Sequence, residues 1–251
     1  MYQHHKKNIW VIGAGSGIGR AMSLDLSILG HHIALSGRRI DVLNAVQSEI
    51  KSSSGVYPLD ILSAEDIVTT YQKIKADLGH VDNVICMAAQ YDPMTLDSLD
   101  MDKVEKTINT NINSVFHLIH TVLPDMKDRK SGQIILCGSV AGYRGLPNAQ
   151  PYSSTKAAII NIAETLRAEV SSLGIDVKVI CPGFVKTEMT DKNEFDMPML
   201  ITPQQASNKI MKQIFNPNIF EIKTHGIFTI FMKFLRIIPY FIFFRVVKKI
   251  S

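Results

Sequence analysis

The sequence predicts the α/β class, with a mostly parallel, doubly wound sheet that carries helices on both faces. Three features support this fold: apolar runs of about four to eight residues, amphipathic stretches between them, and a glycine-rich turn after the first run. The runs are continuous rather than alternating in polarity, which is typical of strands buried on both faces. At 251 residues, the chain is long enough for one domain with a substantial core.

The expected elements alternate along the chain, and no internal repeat, low-complexity tract or domain linker interrupts them. Strands are predicted near residues 9–13, 31–36, 55–58, 81–87, 133–138, 176–181 and 219–222. Helices are predicted near residues 17–29, 39–51, 63–78, 102–127, 151–173 and 203–215. Residues 191–201 lack clear periodicity and are predicted to form a loop.

The first strand, turn and helix predict a phosphate-binding unit. Residues 9–20 read Ile-Trp-Val-Ile-Gly-Ala-Gly-Ser-Gly-Ile-Gly-Arg, and the strand His32–Ser36 completes a βαβ unit. Glycine allows the sharp turn, and the start of the helix presents unpaired N–H groups and a positive dipole end to a pyrophosphate. The unit is Rossmann-like, so a dinucleotide is the expected ligand. Its expected contacts are Gly13, Gly15, Ser16, Gly17, Ile18 and Gly19.

The end of the second strand indicates which dinucleotide is bound. An acidic residue there would accept a hydrogen bond from the adenosine ribose and repel a 2′-phosphate. This chain instead has Gly37 followed by Arg38 and Arg39, and guanidinium groups suit a phosphate dianion. We therefore expect NADP(H) rather than NAD(H). Arg38 is the predicted ligand, and Arg39 is expected to be a solvated residue at the helix start.

Tyr152, Lys156 and Ser139 form the candidate catalytic group. Positions i and i+4 share one face of a helix, so the phenol and the ammonium can point at the same spot. A free phenol titrates near ~10, and a nearby ammonium favours the phenolate, so the pKa of Tyr152 is expected to be lowered. Ser139 ends the apolar run 133–138, where its hydroxyl could hold a substrate oxygen. The alternative is two surface residues on a helix, because this spacing alone is common.

With these residues in view, the chain resembles the classical short-chain dehydrogenase/reductase family over about residues 8–225. The resemblance implies an oxidoreductase that interconverts carbonyl and alcohol groups by hydride transfer. Ser139 would hold the substrate oxygen and Tyr152 would pass the proton. Lys156 would lower the pKa of the tyrosine and bond the nicotinamide ribose. Asn111, in Asn-Ile-Asn-Ser-Val-Phe, would hold a water that links the lysine to solvent.

The same resemblance implies the other cofactor contacts. An aspartate after the third strand would contact adenine, and a Pro-Gly turn after the sixth strand would lead to a threonine that embraces the nicotinamide amide. In the family, the loop that follows this threonine is the mobile substrate loop. The implied contacts are Asp60, Ile61, Ala88, Ala89, Tyr152, Lys156, Pro182, Gly183, Val185 and Thr187.

Two positions depart from the family pattern. Ile12 stands where the family usually has threonine before the first glycine. Cys86-Met87-Ala88-Ala89 stands where the family usually has Asn-Asn-Ala-Gly after the fourth strand. The missing amides would brace the central strands and the cofactor wall. Local hydrogen bonding is therefore expected to differ there, while the fold is kept.

Cysteine and histidine usage indicates neither disulfides nor a metal site. Cys86, Cys137 and Cys181 are scattered on or beside predicted strands, so they are expected to be small core residues in a reducing compartment. The eight histidines form no convincing metal constellation. Residues 1–7 are too short and polar for a signal peptide. A cytoplasmic protein is therefore expected.

The C-terminal tail carries the positive charge of the chain. From Ile222 onward there are six basic residues and no acidic ones, which leaves 21 basic against 23 acidic residues elsewhere. The tail is also rich in phenylalanine and isoleucine. A spanning helix needs roughly 20 mostly apolar residues, and charges together with Pro239 interrupt this run. Two short helices around the proline are therefore expected, in an extension at 226–251 that follows a catalytic domain at 1–225.

This composition favours peripheral contact of residues 226–250 with the inner face of a membrane, since basic residues mixed with bulky aromatics are typical of interfacial segments. Two alternatives are a cap over the substrate pocket and a subunit contact. Nucleic-acid binding is not expected, because no recognition motif accompanies the basic residues. The long helices at 102–127 and 151–173 could bury a face shared with partner copies, so a homodimer or homotetramer is expected.

Three functions remain open. The leading one is an NADP(H)-dependent reductase of a hydrophobic or lipid-linked ketone. The second is a soluble 3-oxoacyl carrier-protein reductase. The third is a non-catalytic NADP(H)-sensing regulatory protein, which the missing Asn-Asn-Ala-Gly element favours and the intact set of candidate catalytic residues disfavours.

Overall fold

The computed structural model describes residues 6–193 and 195–248. Residues 1–5 of the polar N-terminal segment, residue 194 of the predicted loop and residues 249–251 of the predicted extension lie outside the described residues. The strands are β1 (Asn8–Ile12), β2 (His32–Gly37), β3 (Ser54–Pro58), β4 (Asn83–Cys86), β5 (Gly132–Cys137), β6 (Ile175–Cys181) and β7 (Glu221–Lys223). They form one sheet in the order β3-β2-β1-β4-β5-β6-β7, and every pairing is parallel. The order reverses between β1 and β4, so a crevice opens at the carboxyl ends of these strands. The predicted doubly wound fold is confirmed.

Helices pack on both faces of the sheet. They are α1 (Gly17–Ile28), α2 (Ile40–Glu49), α3 (Ala64–Leu78), α4 (Met101–Ile108), α5 (Ser114–Arg129), α6 (Tyr152–Val170), α7 (Pro203–Met211), α8 (Gly226–Ile237) and α9 (Tyr240–Val247). One core joins α3, α5 and α6 to the sheet, and a second joins α1, α2 and α7 to the opposite face. β1 serves both cores, because successive side chains point to opposite faces: Trp10 enters the first core and Val11 the second.

The single helix predicted at 102–127 is wrong in one respect. α4 ends at Ile108, a π-helical turn spans Asn109–Asn113, and α5 begins at Ser114. The extra residue in this turn lets Asn111 reach the loop after β4, and π turns of this kind are common at functional sites.

Two predicted helix ends also move. α6 ends at Val170 and continues as a short 3₁₀ turn, Ser171–Leu173. α7 ends at Met211 rather than near 215, and four residues of turn follow it. Pro217 disfavours the helical conformation of Asn216, the residue before it, so the helix cannot extend through this position.

The tail folds as the two short helices predicted around Pro239. Met232 and Leu235 of α8 are buried in the first core, and Lys233 pairs with Glu221 of β7. Within residues 6–193 and 195–248, no helix has the length and apolar character needed to cross a membrane.

Candidate active site

A cavity of about 510 Å³ runs across the carboxyl ends of the strands. Its lining includes residues that follow β3, β2, β1, β4, β5 and β6, in the order in which these strands lie in the sheet. Every site residue predicted from the sequence lines this cavity except Asn111, whose neighbour Thr110 does. The predicted residues that line the cavity are Gly13, Gly15, Ser16, Gly17, Ile18, Gly19, Arg38, Asp60, Ile61, Ala88, Ala89, Ser139, Tyr152, Lys156, Pro182, Gly183, Val185 and Thr187.

The glycine-rich turn brings backbone close to backbone. Gly13 and Gly17 have φ of +86° and +53°, a region that side chains other than hydrogen disfavour. A Cβ added at Gly19 would lie 2.2 Å from the carbonyl oxygen of Gly13. Ser16, the N-cap of α1, makes no side-chain capping hydrogen bond, so N–H groups of the first turn stay available to an anion.

We expect Gly19→Ala to disrupt this turn. The added methyl group meets a backbone oxygen rather than a flexible side chain, so the turn must shift at a cost of about 1–3 kcal/mol. Thermal unfolding should show a Tm lowered by several degrees, and dinucleotide affinity should fall by about tenfold or more, since phosphate binding depends on these N–H groups. Gly145→Ala is the matched control, because a Cβ there meets no atom within 4 Å. Equal behaviour of the two variants would contradict the argument.

The two arginines after β2 have different surroundings. Arg39 lies 3.6 Å from the carboxylate of Glu188, and both side chains are exposed. Arg38 is exposed, lines the cavity, and has no ion-pair partner within residues 6–193 and 195–248. Asp60 accepts a hydrogen bond from the N–H of Leu62 at 3.1 Å, which orders the loop after β3. Arg38 is therefore the arginine that is free to meet a phosphate.

Two elements bring the candidate catalytic group together. Ser139 follows β5, while Tyr152 and Lys156 lie on the first turns of α6. The ammonium of Lys156 donates to the carbonyl oxygen of Cys137 at 2.7 Å and lies 5.4 Å from the centre of the Tyr152 ring. The hydroxyl of Ser139 donates to the carbonyl oxygen of Pro182 at 3.5 Å and accepts from the N–H of Ala141 at 3.1 Å. The hydroxyl, phenol and ammonium thus surround one end of the cavity.

The expected lowering of the pKa of Tyr152 is wrong for this structure. Burial raises the pKa of the phenol above its ordinary value, and the nearby hydroxyl of Ser139 opposes that rise only in part. The ammonium of Lys156 is directed at the carbonyl oxygen of Cys137, which weakens its help to a phenolate. Tyr152 is therefore a phenol that holds its proton, which suits a proton donor.

Asn111 braces the loop after β4. Its amide oxygen accepts from the N–H of Gln90 at 2.8 Å, and its amide nitrogen donates to the carbonyl oxygen of Gln90 at 3.0 Å. The same nitrogen donates to the hydroxyl of Thr155 at 2.9 Å. Asn111 therefore joins the π turn, the β4 loop and α6, and its side chain fixes the wall beside the candidate catalytic group.

Sequence analysis missed Tyr91, which covers the phenol. The rings of Tyr91 and Tyr152 meet edge to face, with centres 4.8 Å apart. The hydroxyl of Tyr91 lies 2.5 Å from the amide oxygen of Asn193, and Lys192 donates to the carbonyl oxygen of Tyr91 at 2.8 Å. These contacts tie the loop at 191–201, which the family resemblance predicts to be the substrate loop, to the β4 loop. The only signal in the sequence was an aromatic residue just after the Cys-Met-Ala-Ala segment.

The departures from the family pattern are absorbed by the two cores. Cys86 and Ile12 are buried in the first core, and Met87 packs against the second. Met87 keeps a backbone hydrogen bond to the carbonyl oxygen of Ile12 at 2.8 Å. Apolar packing thus occupies the positions where the family usually has amides.

One of the three cysteines, Cys137, is more exposed than the sequence predicted. Cys86 and Cys181 are buried, whereas Cys137 is half-buried and lines the cavity. Burial raises the pKa of the Cys86 and Cys181 thiols to about 12 and also raises that of Cys137, so all three stay protonated. Among the residues that the structure describes, no cluster of three or more His, Cys, Asp or Glu side chains could hold a metal ion.

His225 links the turn after β6 to the substrate loop. Its Nδ1 accepts from the N–H of Gly183 at 3.1 Å, and its Nε2 lies 3.0 Å and 3.1 Å from the carbonyl oxygens of Phe184 and Met199. Since carbonyls only accept, Nε2 must carry the proton. Burial lowers the pKa of this histidine, which keeps the ring neutral and this pattern intact. Sequence analysis missed this residue because it matches no motif.

Known proteins of one family share this sequence pattern. The sequence matches the family described as short chain dehydrogenase over residues 7–197. It is 33% identical over 207 residues to an uncharacterized oxidoreductase of Myxococcus xanthus, with 81% of this chain and 82% of that protein covered. It is 32% identical over 179 residues to the acetoacetyl-CoA reductase of Shinella zoogloeoides, with 71% and 74% covered.

Solved structures share the fold at lower sequence identity. ElxO, solved with NADP bound, has a TM-score of 0.78 and 24% identity, covering 88% of this chain and 98% of that chain. A 7α-hydroxysteroid dehydrogenase complexed with NADH and 7-oxo glycochenodeoxycholic acid has a TM-score of 0.74 and 25% identity, covering 80% and 84%.

Proposed function

Because the chain belongs to the short-chain dehydrogenase family and is an oxidoreductase acting on C=O and CH–OH groups, we propose that it is an NADP(H)-dependent reductase of a hydrophobic or lipid-linked ketone. One observation carries the proposal: Ser139, Tyr152 and Lys156 meet at one end of a cavity that continues past the glycine-rich turn to Arg38. The proposed catalytic residues are these three and Asn111. The other predicted lining residues are the proposed cofactor contacts.

The residues present fit a phosphorylated nicotinamide dinucleotide. The uncapped start of α1 would hold its pyrophosphate, Arg38 its 2′-phosphate, and Asp60 and Ile61 its adenine. The Pro182-Gly183 turn, Thr187 and Lys156 would hold the nicotinamide end. When bound, NADPH supplies the hydride.

The protein supplies position and a proton. Ser139 orients the ketone oxygen, and the hydroxyl of Tyr152 gives its proton to that oxygen. The high pKa of Tyr152 keeps the proton in place through neutral pH. Lys156 has three N–H donors, of which Cys137 takes one, so two remain for a ribose. Its positive charge stabilises the tyrosinate left after the transfer.

The preference for NADP(H) rests on the residues after β2. Neither Gly37, Arg38 nor Arg39 is acidic, and Arg38 has no carboxylate partner within the described residues. The related structures hold NADP in one case and NADH in the other, so the proposed preference rests on the side chains of this chain. A free guanidinium at this position favours the phosphorylated cofactor.

Arg38→Gln should lower the preference for NADPH over NADH by about 10- to 100-fold, measured as the ratio of the two kcat/KM values. The variant loses charge-assisted hydrogen bonds worth about 1.5–3 kcal/mol to the 2′-phosphate. Arg39→Gln is the matched control, because Arg39 pairs with Glu188 and should contribute little. A larger effect at Arg39 than at Arg38 would assign the phosphate to the other arginine.

One related structure supports a substrate with a large apolar part, because that protein is complexed with 7-oxo glycochenodeoxycholic acid. The loop at 191–201 exposes Phe195, Met199 and Leu200, and its Lys192 lines the cavity. A keto-sphingoid, an oxo-acyl chain, a sterol-like ketone and a prenyl-linked keto-sugar therefore belong in the first test panel.

The acetoacetyl-CoA reductase relative also supports the second candidate, a soluble 3-oxoacyl carrier-protein reductase. The third candidate, a regulatory protein that senses NADP(H) without turnover, is weakened by the assembled catalytic group. NADPH oxidation with the ketone panel separates the three. Turnover of lipid ketones supports the first, turnover of carrier-protein thioesters alone supports the second, and tight NADPH binding without any turnover supports the third.

The proposal extends to organisation and location. Residues 1–225 form the catalytic domain and residues 226–251 an extension. The chain assembles as a homodimer or homotetramer in the cytoplasm. Residues 226–250 make peripheral contact with the inner face of a membrane, and nucleic acid is not a partner. Support for the membrane contact is the composition of the tail, with its basic and aromatic residues and its lack of acidic ones. Nucleic acid is not proposed as a partner because no recognition motif accompanies the basic residues.

A further inference from the structure

α8 presents its apolar side to solvent. The outward residues follow the spacing i, i+3, i+4, i+7 and i+10, and each is between 49% and 76% exposed. They are Ile227, Ile230, Phe231, Phe234 and Ile237. On the inward side, Thr229 is fully buried. A surface helix in a soluble monomer normally has the opposite arrangement, so this stripe calls for a partner.

The next helix, α9, also exposes aromatic side chains. Tyr240, Phe241 and Phe244 are exposed, whereas Phe243 is buried. The guanidinium of Arg144 lies 4.3 Å from the ring centres of both Tyr240 and Phe243. Arg144 also donates to the carbonyl oxygen of Arg236 at 3.1 Å, so the turn between the helices is held on the body. The exposed face is therefore a fixed surface rather than a loose end.

Basic side chains border this surface. Arg236, Arg245 and Lys248 are exposed, and within residues 6–193 and 195–248 none of them lies within ion-pair distance of a carboxylate. Lys233, by contrast, is paired with Glu221. Apolar groups and unpaired cations thus lie together, with no acidic residue in the tail to offset them.

We propose that the outward face of α8 and α9 docks into an anionic phospholipid surface. The apolar stripe enters the boundary between headgroups and acyl chains, and Arg236, Arg245 and Lys248 meet the lipid phosphates. A second copy of this chain explains the stripe less well, because an isologous contact would bring two sets of unpaired cations together. An anionic lipid surface matches both the apolar groups and the sign of the charge.

The docking face is joined to the substrate loop. His225, immediately before α8, binds the backbone of Gly183, Phe184 and Met199. The ring of Phe184 packs against Phe228 of α8, with centres 5.7 Å apart, and against Phe195 of the loop at 5.9 Å. A docked α8 therefore sets the loop beside the bilayer, and an apolar ketone enters the cavity from the lipid. This last step rests on the proposed reductase function, whereas docking does not.

The test is co-sedimentation of the full chain with phosphatidylcholine vesicles, with and without phosphatidylglycerol. The protein should bind the anionic vesicles. A triple variant, Arg236→Gln with Arg245→Gln and Lys248→Gln, should bind about a hundredfold more weakly, because each basic residue contributes roughly a fivefold gain in affinity. The stripe variant Ile230→Gln with Phe234→Gln should lose binding altogether. Ile28→Gln with Leu96→Gln removes exposed apolar groups elsewhere and should bind as the parent does.

Point variants are preferable to deletion of the tail, since Met232, Leu235 and Phe243 are buried and their loss would expose the core. Parent protein that stays in solution with anionic vesicles would overturn the proposal. So would equal binding of the stripe and control variants, or a stripe variant that changes only the oligomeric state, which would assign the face to a second copy.

Reduction of a small water-soluble ketone, measured on the same samples, separates docking from catalysis. Turnover without vesicle binding would remove the docking surface and leave the reductase. Vesicle binding without turnover of any ketone would remove the reductase and leave the docking surface.

Discussion

Tyr152→Phe is expected to lower kcat for ketone reduction by about 10²- to 10⁴-fold, the range that general acid catalysis contributes. The change removes one oxygen and leaves the ring, which packs at 4.8 Å against Tyr91. NADPH binding should stay close to that of the parent, because the turn, Arg38 and Lys156 are untouched. Steady-state kinetics and a fluorescence titration of NADPH would measure the two quantities separately.

The matched control is Tyr57→Phe. The hydroxyl of Tyr57 bonds Asp77 at 3.0 Å, and this residue does not line the cavity. Its variant should keep the parent kcat. A Tyr152→Phe protein that still reduces ketones at the parent rate would show that another group delivers the proton, and the assignment of the phenol would fail.

The parts of the fold that the sequence predicted are those set by local rules. Seven continuous apolar runs predicted seven strands, because strands buried on both faces cannot alternate in polarity. The glycine-rich turn was predictable because its backbone segments approach too closely for any side chain. A Cβ added at Gly19 would lie 2.2 Å from the carbonyl oxygen of Gly13. Pro239 marked the break between α8 and α9, since proline cannot continue a helix without loss of a hydrogen bond.

The parts that escaped prediction depend on contacts between distant segments. The π turn at Asn109–Asn113 forms around hydrogen bonds between Asn111 and Gln90, 21 residues away. His225 reaches Gly183 across 42 residues. No periodicity encodes such pairs. The expected pKa of Tyr152 failed for the same reason, because the sequence showed the neighbouring ammonium but not the burial of the phenol or the carbonyl that the ammonium binds.

The tail shows how composition and structure carry different information. Composition gave the charge and the abundance of aromatic residues, and from these a membrane contact could be expected. It could not show which side chains face outward, since that depends on how α8 packs on the body. Burial of Thr229, Met232 and Leu235 fixes the rotation of the helix and leaves its apolar stripe outside. The surface proposed to dock is thus defined by packing rather than by residue content.

Lys156→Met should slow alcohol oxidation at neutral pH by about 10- to 10³-fold and move its pH profile to more alkaline values. The side chain is buried, and methionine keeps its chain as far as Cε while removing the charged group. Oxidation needs the phenolate of Tyr152. Burial already raises the pKa of Tyr152, and loss of a nearby cation should raise it further. At a pH below this pKa, each unit by which the pKa rises lowers the phenolate fraction about tenfold, so the oxidation rate falls in proportion.

The pH dependence of ketone reduction is opposite to that of alcohol oxidation, because reduction needs the protonated phenol of Tyr152. Its acid–base requirement is met at all pH values below the pKa of Tyr152 and lost as pH rises through it. In Lys156→Met, the pH range over which reduction is constant should therefore extend further into alkali, even though loss of the ribose contact lowers the plateau. Lys156→Arg keeps the charge and should leave both profiles near those of the parent. Unchanged pH profiles in Lys156→Met, at any absolute rate, would show that this ammonium holds the cofactor without setting the proton affinity of the phenol.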